Sequence, residues 1–199
     1  MLDRIRDVFE VVAKRRTVRR FADTPVPEED LKRILDAARM APSSGNQQPW
    51  KFLVVRDPER IARMKRIGMK EAIERIRQGP DIPRGELDRL RARTEAYLDG
   101  VFTAPVWIAV LCDREAEHPG YLKHDGPLAA ANLILAARAL GYGTLYGTDF
   151  IPESAQRAAL EIPDRYEITC VVALGVPDAW PGPPEKRDLD SFVVRERFG

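Results

Sequence analysis

Pro42-Ser43-Ser44-Gly45-Asn46-Gln47-Gln48-Pro49-Trp50 is the densest chemical signal in this 199-residue chain. It places hydroxyls, carboxamides and one flexible glycine in a polar loop beside a large aromatic. Such groups suit a flat heterocycle with donors and acceptors alternating along one edge. They suit equally a loop cross-linked by its own side chains, with Trp50 as a core plug. The flanks give the loop its context. Thr24-Pro25-Val26-Pro27-Glu28-Glu29 reads as a turn into a helix with acidic residues in its first turn; Leu31, Ile34, Leu35 and Ala38 form its buried face, and Ala41-Pro42 ends it. KFLVVR, residues 51–56, reads as a strand.

Further out, Leu2, Ile5, Val8, Phe9 and Val12 recur at helical spacing and predict a helix over residues 2–14 with one apolar stripe. Helices are expected over 59–78 and 84–98, with Gly79-Pro80 as the break between them. VWIAVLC reads as a buried strand, and Leu122 to Leu140 as a helix apolar nearly all round, ended by Gly141. Residues 143–147 form a short strand or buried turn, a short helix occupies 153–160, and YEITCVVAL, 166–174, is another strand. The tail KRDLDSFVVRERF reads as a strand or an extended arm tied to the core. About four strands interleave with helices without a regular βα repeat or a Gly-x-Gly-x-x-Gly fingerprint, so the fold class is α+β. No Gly/Ser or Pro-rich linker divides the middle, and residues 1–199 read as one domain, with 64–103 as a polar lid or rim over a site.

Composition excludes several classes. The 32 Lys+Arg and 31 Asp+Glu leave a net charge of +1, which gives no general argument for nucleic-acid binding. Cys112 and Cys170 lie in apolar runs and read as buried free thiols of a reducing compartment. With two histidines and no Cys-x-x-Cys or His-Glu-x-x-His cluster, no metal site is expected. No stretch approaches the ~20 apolar residues of a membrane span and no secretory h-region opens the chain, so a soluble, cytoplasmic protein is expected.

Charge is nevertheless uneven: residues 1–20 carry seven Lys/Arg against three Asp/Glu. Lys14, Arg15, Arg16, Thr17, Arg19 and Arg20 crowd six polar side chains into seven positions. Guanidinium groups pair with phosphate oxygens, and a hydroxyl adds a further bond. A solvated turn closing the first helix would also favour positive charge. Lys186 and Arg187, alone a surface pair, could clamp the same phosphate if the fold brings the two groups together.

Arg15-Arg16-Thr17-Val18-Arg19, PVPEEDLKRILDAARMAPSSGNQQPW, DGPLAAANLILAARALGYGT, and VVALGVPD with Lys186-Arg187-Asp188-Leu189, taken in that order, resemble the FMN-dependent nitroreductase family. The resemblance implies a mixed sheet flanked by helices in an intertwined homodimer with two FMN sites at the interface. Arg15, Arg16 and Thr17 would contact the ribityl phosphate, Lys186 and Arg187 would complete that grip, and Arg19 would approach the pyrimidine edge and tune the ring. Pro42, Ser43, Ser44 and Asn46 would reach a flavin bound mainly by the other subunit, supported by Gln48 and Trp50. Gly141 and Gly143 would let backbone pass close to the flavin. Thr17 stands where the family most often has Ser, with the hydroxyl retained.

The implied activity is ping-pong reduction of nitroaromatics, quinones or similar small planar acceptors by NADH or NADPH, with no certain protein proton donor. Tyr97 and Phe102 could stack on substrate or pack in the core. Asp125 is read as capping its helix or orienting the ring-side loop, and Asn132 as a structural hydrogen-bonding residue. Alternatives are a reductive dehalogenase, a flavin-consuming enzyme, an oxidase of thiazoline or oxazoline rings, and a non-catalytic FMN-binding protein. An enzyme that holds a substrate's phosphate for transfer or hydrolysis would need a divalent metal or a general base.

Overall fold

The computed structural model describes residues 2–78, 83–148 and 151–197. The expected break at Gly79-Pro80 lies outside the described residues. Four strands, β1 (Trp50–Val55), β2 (Val106–Asp113), β3 (Gly143–Gly147) and β4 (Tyr166–Gly175), form one sheet in the order β1-β2-β4-β3. All three strand pairs are antiparallel; the sheet's parallel element is an isolated bridge between Thr17 and Thr144, on β3.

Helices cover both faces: α1 (Val8–Lys14), α2 (Glu28–Arg39), α3 (Pro58–Arg77), α4 (Arg84–Val101), α5 (Leu122–Ala139) and α6 (Glu153–Leu160). Strand alternation assigns each face. Val106, Ile108 and Val110 pack with Leu31 and Ile34 of α2 and with Leu133 of α5. Trp107, Ala109 and Leu111 face Met64 of α3, Leu98 and Val101 of α4, and Ala155 of α6. A strand covered on both faces must read as continuously apolar, which accounts for VWIAVLC. Gly126 of α5 packs tightly on the sheet where the β2/β4 register slips between Val110 and Leu111, so that Thr169 of β4 is the extra residue of a bulge.

Two expectations require correction. The first helix begins at Val8, capped by Asp7, whose carboxylate accepts from the Glu10 N–H at 2.8 Å. Residues 2–6 leave the helical path because long-range partners hold them: the Ile5 N–H donates to the Ala139 carbonyl, Arg4 pairs with buried Asp30 at 3.0 Å, and Asp3 pairs with Arg138 at 2.7 Å. Of the expected stripe only Ile5 is buried; Val8, Phe9 and Val12 face outward, and Phe9 is 80% exposed. The second correction concerns the tail. Residues 181–197 are exposed, with one 3-10 turn at Leu189–Ser191 and no strand pairing. The segment that does pair beside β3 is the basic one, through Thr17.

Candidate functional site

The basic segment is pinned by its backbone and its apolar residues. The Val18 N–H donates to the Thr144 carbonyl at 2.9 Å, the Ala22 N–H to the Val176 carbonyl at 2.9 Å, and the Phe21 N–H to Thr103 Oγ1 at 2.8 Å. Val18 and Phe21 are buried while Arg19 and Arg20 are exposed, so the chain here is a fixed rail with cations along its outer side. Arg15, Arg16 and Thr17 are half-buried. From Val11 to Ala22 there is no acidic residue, and among the described residues Arg15, Arg19 and Arg20 have neither an ion pair nor a side-chain hydrogen bond. Arg16 differs: its guanidinium donates to the carbonyls of Ala13 and Arg15 at 2.7 and 2.8 Å and so caps the C-terminus of α1.

Gly143 has a packing reason of its own. A Cβ there would lie 2.5 Å from Val18 Cγ2 and 2.8 Å from Pro177, so the missing side chain makes room for the rail. Gly141, at φ +92°, ends α5.

Arg138, not singled out from the sequence, fixes the rail's near end. It is buried in the last turn of α5 and reaches Asp3 Oδ2 at 2.7 Å, the Asp3 carbonyl at 2.9 Å and the Lys14 carbonyl at 3.4 Å. Its guanidinium carbon also sits 4.2 Å from the centroid of Trp180. One side chain thereby holds the N-terminal arm, the start of the basic segment and the beginning of the tail. The signal was present in the sequence, because Arg138 is the one charge between Pro127 and Leu140.

The loop is organised from the other end of α5. Asp125, buried in the helix's first turn, accepts from the Ser44 N–H at 3.1 Å and from Gln47 Nε2 at 2.7 Å, which is the loop-orienting one of its two expected roles. Gln48 N–H donates to Ser43 Oγ at 2.9 Å, and Trp50 packs against Ala41 and Ala129. Gly45 is doubly required: its φ is +58°, and a Cβ would meet His118 Nε2 at 2.9 Å. Both the self-cross-linked loop and the core-plug Trp50 are therefore present, with Ser44 and Asn46 side chains free of protein partners among the described residues. Asn132 donates to the Ala37 carbonyl at 3.2 Å and is structural, as expected.

Within one chain the two halves of the expected site are not brought together. Asp125 and Arg138 are 13 residues apart on α5, which at ~1.5 Å per residue separates loop and rail by about 20 Å. Lys186 and Arg187 are exposed and bond to neither half, Arg187 lying 4.4 Å over the Phe192 ring. Phe102 stacks on Trp107 at 4.7 Å and belongs to the core; Tyr97 packs partly against the same cluster. Among the described residues no group of acidic, His and Cys side chains could hold a metal, and no helix is long and apolar enough to cross a membrane.

Comparison with known proteins identifies this arrangement. The model of the nitroreductase family matches residues 12–176, from the end of α1 through β4. The chain belongs to the nitroreductase family. A Methanothermobacter thermautotrophicus protein provisionally named NADH dehydrogenase/NAD(P)H nitroreductase is 33% identical over 195 residues, covering 96% of this chain and 87% of its own. The 5,6-dimethylbenzimidazole synthase of Rhodospirillum rubrum is 31% identical over 172 residues, or 82% of this chain and 78% of its own. Among solved structures, an FMN-dependent nitroreductase from Clostridium difficile superposes with a TM-score of 0.71 at 26% identity, covering 96% of this chain and 99% of its own. The family match starts after most of α1 and stops before the tail, and both of these flanking regions carry exposed apolar side chains.

Proposed function

We propose that two copies of this chain form a homodimer with a shared FMN site at each end of the interface, and that the protein is an NAD(P)H-dependent oxidoreductase for small planar acceptors. The observation that carries this reading is the split site: a rail of unpaired arginines and a carboxamide-rich loop, about 20 Å apart along α5 (Leu122–Ala139). A second copy related by two-fold symmetry can set its loop against the first copy's rail. The outward Val8, Phe9 and Val12 of α1, with Leu189 and Phe192 of the tail, supply apolar surface for such an interface. The likeness to an FMN-dependent nitroreductase supports the choice of ligand.

The residues present fit FMN. Arg15, free of protein partners, and the Thr17 hydroxyl offer charge and a hydrogen bond to a phosphate at the rail's sheltered end. Arg16 shapes that end by capping α1, and it can give a remaining N–H outward. Arg19, farther along and exposed, is placed to stabilise negative charge on the flat part of the ligand. Ser44 and Asn46 present a hydroxyl and a carboxamide from the partner's loop. Lys186 and Arg187 close over the phosphate when the exposed tail folds onto the dimer. FMN, when bound, supplies the hydride chemistry, so the protein's own task is binding, orientation and electrostatics. A nicotinamide donor and a planar acceptor would be used in turn, with the exposed parts of α3 and α4 as the lid or rim.

Reconstitution with FMN followed by a visible absorption spectrum tests the reading. One FMN per chain, bleached anaerobically by NADH or NADPH and recovered on adding a quinone or nitroaromatic, is the expected result. Repeated failure to retain stoichiometric FMN would overturn it, and retention without bleaching would leave a passive binder. The likeness to a 5,6-dimethylbenzimidazole synthase favours one alternative, a flavin-consuming enzyme. Destruction of the reduced flavin in air, rather than its return to the oxidised spectrum, would select that alternative.

A further inference from the structure

Gln47 occupies an unusual place in the loop. Gly45, Asn46 and Gln48 have φ of +58°, +56° and +47°, while Gln47 between them is right-handed at φ −66°. Left-handed conformations at residues other than glycine persist only where the surroundings over-determine them. Gln48 has no short side chain to ease that conformation, so something must hold the loop.

The constraint is visible in the Gln47 amide, which is turned inward and fully engaged. Its Nε2 donates to Asp125 Oδ2 at 2.7 Å and to the His118 carbonyl at 3.1 Å, and its Oε1 accepts from the His118 N–H at 2.8 Å. The second carboxylate oxygen of Asp125 accepts from the Ser44 N–H, three residues back along the same loop. The loop is therefore clasped to α5 at one point and to the segment before Tyr121 at another. Only a side chain with a donor and an acceptor on one planar group satisfies a carboxylate, a carbonyl and an N–H together. The family resemblance assigned loop support to Gln48, whose side chain reaches only the Asn46 carbonyl at 3.3 Å.

We infer that Gln47 is the positioning residue of the ligand-facing loop: its amide, through Asp125 and the His118 backbone, holds the left-handed turn that presents Ser44 and Asn46. The inference rests on the reading that this loop meets FMN. Gln47 does not touch the ligand and acts through the loop alone.

The clasp has a polarity that can be inverted. Gln47→Glu sets a carboxylate against buried Asp125 and against the His118 carbonyl, so the loop is repelled unless the two carboxyls share a proton. The other titratable groups near the clasp are the His118 imidazole over Gly45, Glu117 at 3.9 Å from it, His124 beyond Tyr121, and the Cys112 thiol of β2, which feels the charge of Asp125. All are common to every variant, so a difference between variants reports the new pair. Combining Gln47→Glu with Asp125→Asn restores one amide and one carboxylate across the contact.

Wild type, Q47E and the Q47E/D125N double variant should be titrated with FMN by fluorescence at pH 5.5 and pH 8.5. Amide hydrogen exchange of residues 43–48 should be followed in the flavin-free proteins, with exchange of β2 and β4 reporting that each variant is folded. Relative to wild type, Q47E is expected to bind FMN about tenfold or more weakly at pH 8.5, to recover most of that loss at pH 5.5, and to lose protection at 43–48 only at the higher pH. The double variant should recover part of the loss at both, because the amide introduced at position 125 can donate to the new carboxylate while the His118 carbonyl still lacks its donor. Equal affinity and equal protection for Q47E and wild type at pH 8.5 would overturn the inference, as would a loss that neither acid nor the double variant repairs. If wild type itself binds no FMN, the functional reading fails, and the exchange of residues 43–48 decides the positioning role alone.

Discussion

Gly126→Ala probes a close approach of α5 to the sheet. A Cβ at Gly126 would lie 2.1 Å from Thr169 Oγ1, 2.9 Å from Cys112 Sγ and 3.0 Å from Thr169 Cγ2. Ordinary contact begins near 3.4 Å, so the hydroxyl must give way by 1.3 Å. Rotation of Thr169 does not solve this, because its methyl is also too close and its hydroxyl is the hydrogen-bond partner of Cys112 at 3.6 Å. Either α5 lifts or the bulge at Thr169 shifts. Overpacking of this severity costs about 3 kcal/mol, and the better helix propensity of Ala returns about 1 kcal/mol. The net loss of about 2 kcal/mol corresponds to a fall of roughly 4–8 °C in Tm for a chain of this size. Calorimetry or circular dichroism should show that fall, with most of it recovered in the Gly126→Ala/Thr169→Ala double variant. Gly85→Ala, where no atom lies within 4 Å, is the control and should hold or raise the Tm. Because Gly126 follows Asp125, the loop at 43–48 should also lose amide protection. A variant that melts at or above the wild-type temperature would refute the close packing.

Further outcomes follow from the same structure. Arg15→Ala should weaken FMN binding about 10- to 100-fold without lowering the Tm, since Arg15 has no protein partner; Arg16→Ala should lower both, because it also uncaps α1. Ultrafiltration of bound FMN alongside thermal melts separates the two. If α1 closes the proposed dimer, Phe9→Glu should shift it to monomer in light scattering and release FMN with it, while a variant still dimeric at micromolar concentration would remove α1 from the interface. Tyr142 lies buried with its hydroxyl donating to Asp30 at 2.8 Å, and burial, then the Asp30 bond, pushes its pKa up to about 12. The folded value exceeds the ordinary value of 10.0, so this stabilisation is complete below pH 10 and disappears as pH rises towards 12. Urea midpoints should therefore fall across that interval, and Tyr142→Phe should shallow the fall while costing about 1–2 kcal/mol at neutral pH.

Legibility in the sequence followed the range of the forces involved. The α2–loop–β1 unit was readable because its signals are local: acidic residues at the helix start, an apolar face at three- and four-residue spacing, and Pro42 as the stop. The two-faced burial of β2 was readable from an unbroken apolar run. Helix α1 was misjudged because Arg4 and Asp3 are held by Asp30 and Arg138, partners no local pattern contains, and because its apolar stripe faces away from this chain. The tail was misjudged for a similar reason: among the described residues its apolar side chains stay exposed and join none of the buried clusters. At the site, the candidate residues were legible as chemistry but not as geometry. Nothing in PSSGNQQPW distinguishes an inward Gln47 from an outward one; the distinction comes from Asp125, 78 positions away.

The fastening at Arg138 brings Asp3, near the start of the described chain, and Trp180, where the exposed tail leaves the body, to one guanidinium beside the rail of arginines. For engineering, an N-terminal fusion pulls directly on this knot and should disturb the basic segment more than its distance in sequence suggests, whereas a C-terminal handle is separated from it by the exposed residues 181–197.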